Sequence, residues 1–497
     1  MPTASQRCVL LAFTFAAACT TLPHRAAEQP ALRARPPLAI RNVVVVNVTD
    51  GTLDSGQTVI TDGDRIQRIG PMATTPTPAG ATVVDAAGRY LIPGLWDMHT
   101  HSLNQWRWTF PLHVANGVTG IRDLSTSVPM KELRRVRADV DAGSVTGPRF
   151  VTAGPLLDGP ESQRGYLSVH TADEARAAVD SLQGEGVDFI KVYHGLSRAA
   201  FQAVMDAAGR HGLPVVGHIP EALDDPMEAI SAGMRSIEHV SQFHLLCAAE
   251  RAEIMRLVSQ SDSIRARGDA RRADEMVQRA GEMRFTSYRA PFCEEVGRTM
   301  AARGTWITPT LTLELQTYQP PVEVSTEQLF ARPEYQYMPR ATLDAWRRRH
   351  VAAIADTSRA HREEAQELRR QSLAKVADMH RGGAGMLAGT DGSGSFQVYG
   401  FNLHEELGWL VLAGLTPLEA LQSATRDPAR FLGRETEVGS VTIGKRADLV
   451  LLDADPLQDI ANTRRIHAVV LGGRLLRRDV LDALLSGVAA FHASDGR

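Results

Sequence analysis

Five short apolar segments, met in chain order, each end on a side chain that can hold a metal or carry a proton, and helix-forming stretches separate them. Leu91-Ile92-Pro93-Gly94-Leu95-Trp96-Asp97-Met98 runs into His99-Thr100-His101, and Asp188-Phe189-Ile190 into Lys191. Pro214-Val215-Val216-Gly217 stops at His218, Ser236-Ile237-Glu238 at His239, and Gly385-Met386-Leu387-Ala388-Gly389-Thr390 at Asp391. In an extended strand alternate side chains share a face, so His99 and His101 point the same way. Regular β–α alternation favours parallel strands covered by helices. Parallel strands that all carry their chemistry at one end describe a (β/α)8 barrel of the TIM type, with one site at its C-terminal rim.

Each residue has an ordinary alternative when taken alone. His99 and His101 read equally well as satisfied polar residues in a core. An isolated lysine is usually a solvated charge, yet Lys191 lies between Phe189-Ile190 and Val192-Tyr193, a poor context for exposure. Asp391 in Gly-Thr-Asp-Gly reads as a turn aspartate. The ordered set outweighs these alternatives, because chance does not repeat the same strand ending five times. Tyr193 shares the inward face of Lys191 if its strand continues, and there it donates a hydrogen bond to a substrate carboxylate or simply packs. On the same logic His194 points away. His113, His170, His211, His244 and His404 are read as non-ligands.

At 497 residues the chain can bury one large core and a smaller one. A β cluster near the start (Val43-Val44-Val45-Val46, Thr58-Val59-Ile60, Arg65 to Ile69) has turns at Asp50-Gly51 and Asp62-Gly63. A second β cluster near the end (Asp448 to Leu452, His467 to Leu471) is followed by Gly472-Gly473. Together they predict a small β-sandwich from residues 38–90 and 436–485, around a barrel spanning 91–435. Thr171 to Glu174 and Thr416 to Glu419 read as capping boxes that start helices. Two long segments, about 245–302 and 313–382, interrupt the barrel pattern where rim loops begin. They are expected to form a lid that sets the substrate, or else a solvated decoration or an oligomer contact.

Arg7, the apolar run Cys8 to Ala18, and Cys19 have the layout of an export signal, too short to span a membrane. Residues 1–18 are therefore expected to be a signal peptide. Ala16-Ala17-Ala18-Cys19 resembles a bacterial lipobox, with residues 19–37 as a Pro-rich tether. The expected location is the periplasm or the outer membrane, through lipid on Cys19; ordinary cleavage after Ala18 or further on is the alternative. Cys247 and Cys293 then remain, and spacing alone leaves open whether they pair. A formal charge of −3 carries no basic field, so nucleic acid is not an expected partner. Any membrane contact is expected only through the anchor, and homo-oligomerisation is left open.

With these motifs the chain resembles the amidohydrolase superfamily, in its imidazolonepropionase-like and prolidase-like branch. The likeness runs from about Ile40 to Arg474. It includes Gly117-Val118-Thr119-Gly120-Ile121-Arg122-Asp123, Gly186 to Val192, Thr416 to Leu421 and Gly444-Lys445-Arg446-Ala447-Asp448-Leu449-Val450. The resemblance implies two divalent ions, with zinc the expected metal. His99, His101 and Asp391 would hold the more buried ion, and His218 and His239 the exposed one. Lys191 would carry carbon dioxide as a carbamate that bridges both. Asp391 would be the catalytic proton carrier, serving a metal-bridging hydroxide.

The leading function is cleavage of an amide bond in a small molecule, a dipeptide or an N-acyl amino acid. A lactonase, cyclic amide hydrolase or deaminase on the same scaffold is the alternative within enzymes. Relatives of those types often use one metal and lack the strand-four lysine, so Lys191 argues against them. A catalytically dead, lipid-tethered binding protein is the alternative of another class, opposed by the complete ligand set.

Overall fold

The computed structural model describes residues 36–494, apart from 161, 163–164, 319–322 and 356–358. The expected signal peptide, Cys19 and nearly all of the tether lie outside the described residues. No helix among those described is long and apolar enough to cross a membrane.

Both chain ends build one eight-stranded sheet. Its order runs Arg474–Arg477, Ile466–Leu471, Leu449–Leu452, Tyr90–Pro93, Leu38–Val46, Leu53–Asp62 and Arg65–Pro71, and Thr82–Asp85 also pairs with Leu38–Val46. Tyr90–Pro93 is the joint, parallel to Leu38–Val46 and antiparallel to Leu449–Leu452. Leu471 pairs with Arg474, leaving Gly472 and Gly473 as a two-residue turn with φ of 53° and 76°. Two positive φ values in succession match the twist of a hairpin, and glycine adopts them without steric cost.

Side chains alternate between two cores. Leu449 and Leu451 pack with Leu38, Ile40, Val43, Val45 and Leu91. Val450 and Leu452 enter the large core shared with Val114, Val118 and Leu421. Burial on both faces explains the unbroken apolar run, each side chain contributing about 1.5–3 kcal/mol. The sandwich expected from sequence is thus seen as one continuous sheet from both chain ends; two separate facing sheets are not found among the described residues.

Eight parallel strands carry the site: Leu95–Thr100, Val118–Asp123, Arg149–Thr152, Ile190–Val192, Val215–Gly217, Ser236–Glu238, Trp306–Thr308 and Gly385–Met386. The first three form one sheet, and the last five belong to another that Leu157–Asp158 and Leu167–Ser168 extend. The ladder is therefore interrupted at two seams and does not close as a single sheet. Isolated backbone bonds, rather than a paired ladder, cross each seam. Asp188 N donates to Thr152 O at 2.9 Å, Met98 N to Ala388 O at 2.8 Å, and Asp391 N to His99 O at 2.7 Å. The second seam opens where the chain beyond Met386 leaves strand geometry and turns left-handed at Asp391, φ 53°.

Helix starts follow local chemistry. Thr416 and Glu419 form a full capping box before Pro417–Ser423. Thr171 caps Ala172–Glu185, but Glu174 turns back to the amide of His170 rather than that of Thr171.

The first insertion is helical, with Arg251–Ala266 and Ala270–Thr286 lying against each other before Ala290–Arg303. The structure joins Cys247 to Cys293, Cα atoms 4.6 Å apart, across 46 residues of chain. Gln371 Nε2 donates to Phe285 O at 3.2 Å and Arg381 meets Glu294 at 3.2 Å, fastening the insertion to helix Arg359–Arg381. Closing a loop of this length removes unfolded-chain entropy, so the Cys247→Ser/Cys293→Ser protein is expected to lose about 2–4 kcal/mol. Thermal unfolding checks this; a transition that matches the oxidised parent would show the bridge to be inert.

Candidate metal centre

Because the strands run parallel, their C-terminal ends bring the six predicted ligands to one rim. His99 lies within Leu95–Thr100 and His101 follows it directly. Lys191 is central in Ile190–Val192, while His218 and His239 each follow the last residue of their strand. One ligand atom each from His99, His239 and Asp391 fall within 4.8 Å of one another. His101 Nε2 is 3.3 Å from Asp391 Oδ1. The imidazoles form a continuous series: His101 to His99 at 5.6 Å, His99 to His239 at 4.8 Å, and His239 to His218 at 4.8 Å between ring centroids.

Three of these rings are held from behind through Nδ1. His99 Nδ1 is 3.0 Å from Glu238 Oε2, His101 Nδ1 is 3.3 Å from Ser125 O, and His239 Nδ1 is 2.8 Å from Thr310 Oγ1. Donation from Nδ1 leaves the Nε2 lone pair for a cation, the arrangement that orients metal-binding histidines. His99 Nε2 is buried and has no hydrogen-bond partner. A buried orphan nitrogen costs about 1–3 kcal/mol, which a cation would relieve. The donor set therefore fits divalent ions of the zinc type.

Electrostatics prepare the same chemistry. Burial pushes His99 down to about 4 and His239 down to about 3, and holds His218 well below the usual imidazole range. All three imidazoles are neutral near pH 7. Burial opposes ionisation of Asp391, but His99, His101, His239 and Lys191 outweigh it and hold the carboxyl at about 2.

Lys191 is 2% exposed, and burial pushes its amine down to about 8 against the pull of Glu238 and Asp391. Its place depends on Gly217, φ 133°, where a Cβ would come within 3.1 Å of Lys191 Cδ and 2.1 Å of Val192 O. Left-handed backbone at His239, φ 72°, and at Asp391 is strain of the kind concentrated at functional sites.

Sequence reasoning missed the layer beneath. Arg122 is fully buried and reaches across the strands. Its Nε donates to Met98 O at 2.6 Å, Nη1 to Ser236 Oγ at 2.8 Å, and Nη2 to Thr308 Oγ1 at 2.9 Å and Glu238 Oε2 at 2.8 Å. Burial alone would raise the Glu238 pKa, but Arg122 and His99 hold the carboxyl well below its usual range. Asp97 accepts from Thr390 N, Thr390 Oγ1 and the His99 amide, tying the first strand to the loop before Asp391. The available signal was a charge directly after an isoleucine within a strand, at Ile121-Arg122 and Ile237-Glu238.

Glu238→Gln is expected to weaken metal retention about 10–100-fold, since partners of ligating histidines commonly contribute that much. Dialysis against a graded chelator, with thermal unfolding measured in parallel, separates this from lost stability. Unchanged retention would assign the Arg122–Glu238 pair to folding alone.

Tyr193 lies against His218, ring centroids 4.2 Å apart, with Tyr166 at 5.7 Å on its other side. His194 corrects the alternation argument. The strand ends at Val192, so His194 does not point away; its ring is 4.2 Å from Tyr193 and stacked 6.1 Å from His218. His404 spends both nitrogens on Thr463 Oγ1 and Asn116 O, and His113 bonds Ser102 Oγ. His211 pairs with Asp180, and His170 lies 3.3 Å from Ser168 Oγ.

Comparison with known proteins identifies a family pattern and a shared fold. The sequence pattern of the amidohydrolase family matches residues 90–476. An adenine deaminase of Rubrobacter xylanophilus is 34% identical over 210 residues, 38% of this chain and 32% of the relative. An imidazolonepropionase of the same organism is 47% identical over 66 residues, 13% of this chain and 16% of the relative. The chain thus spans a third or less of the length of these curated relatives. Among solved structures, a Xaa-Pro dipeptidase with methionine bound in its active site superposes with a TM-score of 0.60 at 18% identity, covering 89% of this chain and 100% of the other. That likeness is one of fold.

Proposed function

Because the chain belongs to the amidohydrolase family, we propose that it is a metal-dependent hydrolase that cleaves an amide bond in a small molecule, a dipeptide or an N-acyl amino acid. The observation that carries this reading is Lys191, a buried amine set among His99, His218, His239 and Asp391. A free ammonium there repels cations, whereas the neutral amine adds to carbon dioxide, releases one proton and becomes an anionic oxygen ligand. His99, His101 and Asp391 would hold one ion, His218 and His239 the other, with the Lys191 carbamate between them. Two such ions, zinc in this proposal, would supply, when bound, a lowered pKa for water and polarisation of the scissile carbonyl.

The protein's own groups then do the following. Asp391, ionised near pH 7, takes the proton of the attacking water and returns it to the leaving nitrogen. Glu238 and Thr310 keep the His99 and His239 rings oriented through the reaction. Tyr193, whose ring lies beside that of His218, would donate a hydrogen bond to a substrate carboxylate. Turnover of a panel of dipeptides, acyl amino acids, lactones and adenine tests the assignment. Preference for amides supports it, and turnover of adenine alone would replace it with deamination. Deamination is kept as the second reading because of the 34% identity to an adenine deaminase.

Export and lipid attachment at Cys19 complete the proposal, supported by the short apolar run and the small residues before the cysteine. Fractionation of cells making the native form and Cys19→Ser tests this. Equal recovery of both in the soluble periplasm removes the lipid anchor.

A further inference from the structure

A cavity of about 700 Å³ lies between helix Arg251–Ala266 of the first insertion and the loops that leave His218 and His239. Pockets of roughly 300–1,000 Å³ suit small organic ligands. Much of the wall is apolar, from Leu223, Ile254 and Val258 among others. Two nitrogen-bearing side chains, His244 and Arg284, also line it, and each has a buried nitrogen with no partner: Nδ1 of His244 and Nε of Arg284.

The other charges of the wall are accounted for differently. Arg256 is held by Glu253 and Gln260, and Asp224 by Arg198. Glu221 and Asp262 are exposed. Arg284 makes no hydrogen bond or ion pair with another described residue. A buried guanidinium Nε–H left without an acceptor is costly, and a carboxylate is the group whose geometry the guanidinium matches.

We propose that this cavity binds an organic carboxylate with an apolar body, the carboxylate on Arg284 and His244 and the chain along Leu223, Ile254 and Val258. The loops that wall it are tied together, Ile219 N donating to Gln242 Oε1 at 2.9 Å. They continue directly from His218 and His239, so an occupant bears on the same loops as the metal centre. The carboxylate is either the remote end of the hydrolysed molecule or a separate effector, and the site's chemistry is common to both.

Calorimetric titration of octanoate into the full-length, metal-loaded protein tests this without relying on hydrolysis, so a wrong assignment of the reaction leaves the result interpretable. Saturable binding is expected, weakened at least about tenfold by Arg284→Met and to a similar degree when octanamide replaces octanoate, because both remove the charge-assisted bond. Val258→Trp, which fills the cavity, is expected to abolish binding of both probes. Octanoate that competes with the hydrolysed substrate marks the cavity as part of the substrate path, and non-competitive inhibition or activation marks a separate effector; either supports the site. Absence of octanoate binding, or equal affinity for octanoate and octanamide in the parent protein, overturns it.

Discussion

Asp391→Asn is expected to lower kcat by about 10²–10⁴-fold while KM changes little, the range that a positioned proton carrier supplies. The reason is geometric. Asp391 sits 3.3 Å from His101 Nε2 and close to His99 and His239, and its carboxyl is held at about 2, so it is ionised at any pH near neutral. Asparagine keeps the shape and a weak oxygen ligand but cannot accept the proton. Steady-state kinetics on the preferred amide, with metal content measured alongside, checks this. A variant whose loss appears only in KM would move Asp391 from proton transfer to binding, and one that loses its metal would make it a ligand first.

Lys191→Ala is expected to remove nearly all turnover, on the order of a hundredfold or more, and to reduce bound metal. Its amine is buried with three imidazoles and a carboxylate about it, and burial brings it to about 8. A neutral amine is therefore accessible near pH 7, which carbamate formation requires. Bicarbonate is accordingly expected to speed recovery of activity when metal-depleted parent protein is reconstituted, and to do nothing for Lys191→Ala. Near-normal turnover and metal content in the variant would remove the carbamate and favour a single-metal centre.

The parts of this fold legible in the sequence were those where local chemistry and placement coincide. His99, Lys191, His218, His239 and Asp391 stand at or just past the ends of short apolar segments, so parallel strands alone carry them to one rim. The two β clusters were visible from their apolar, β-branched runs and from turns such as Gly472-Gly473. What stayed hidden depends on distances between remote segments. Nothing local says that Arg122 reaches Ser236, Glu238 and Thr308, more than a hundred residues away. Cys247 and Cys293 are likewise joined only because two helices and a turn fold back between them. His194 failed for another reason: alternation holds only while a strand lasts, and this one stops at Val192. The second seam of the ladder lies beside the left-handed turn at Asp391, a backbone state that the residue name does not reveal.

Whether this rim holds a pair of metal ions is decided by elemental analysis of the purified full chain. About two equivalents of divalent metal per chain are expected, falling to about one or fewer in His99→Ala, whose Nε2 is a buried nitrogen left without a hydrogen-bond partner. A protein purified without metal chelators that contains none, or a His99→Ala protein that retains the full parental content, would contradict it.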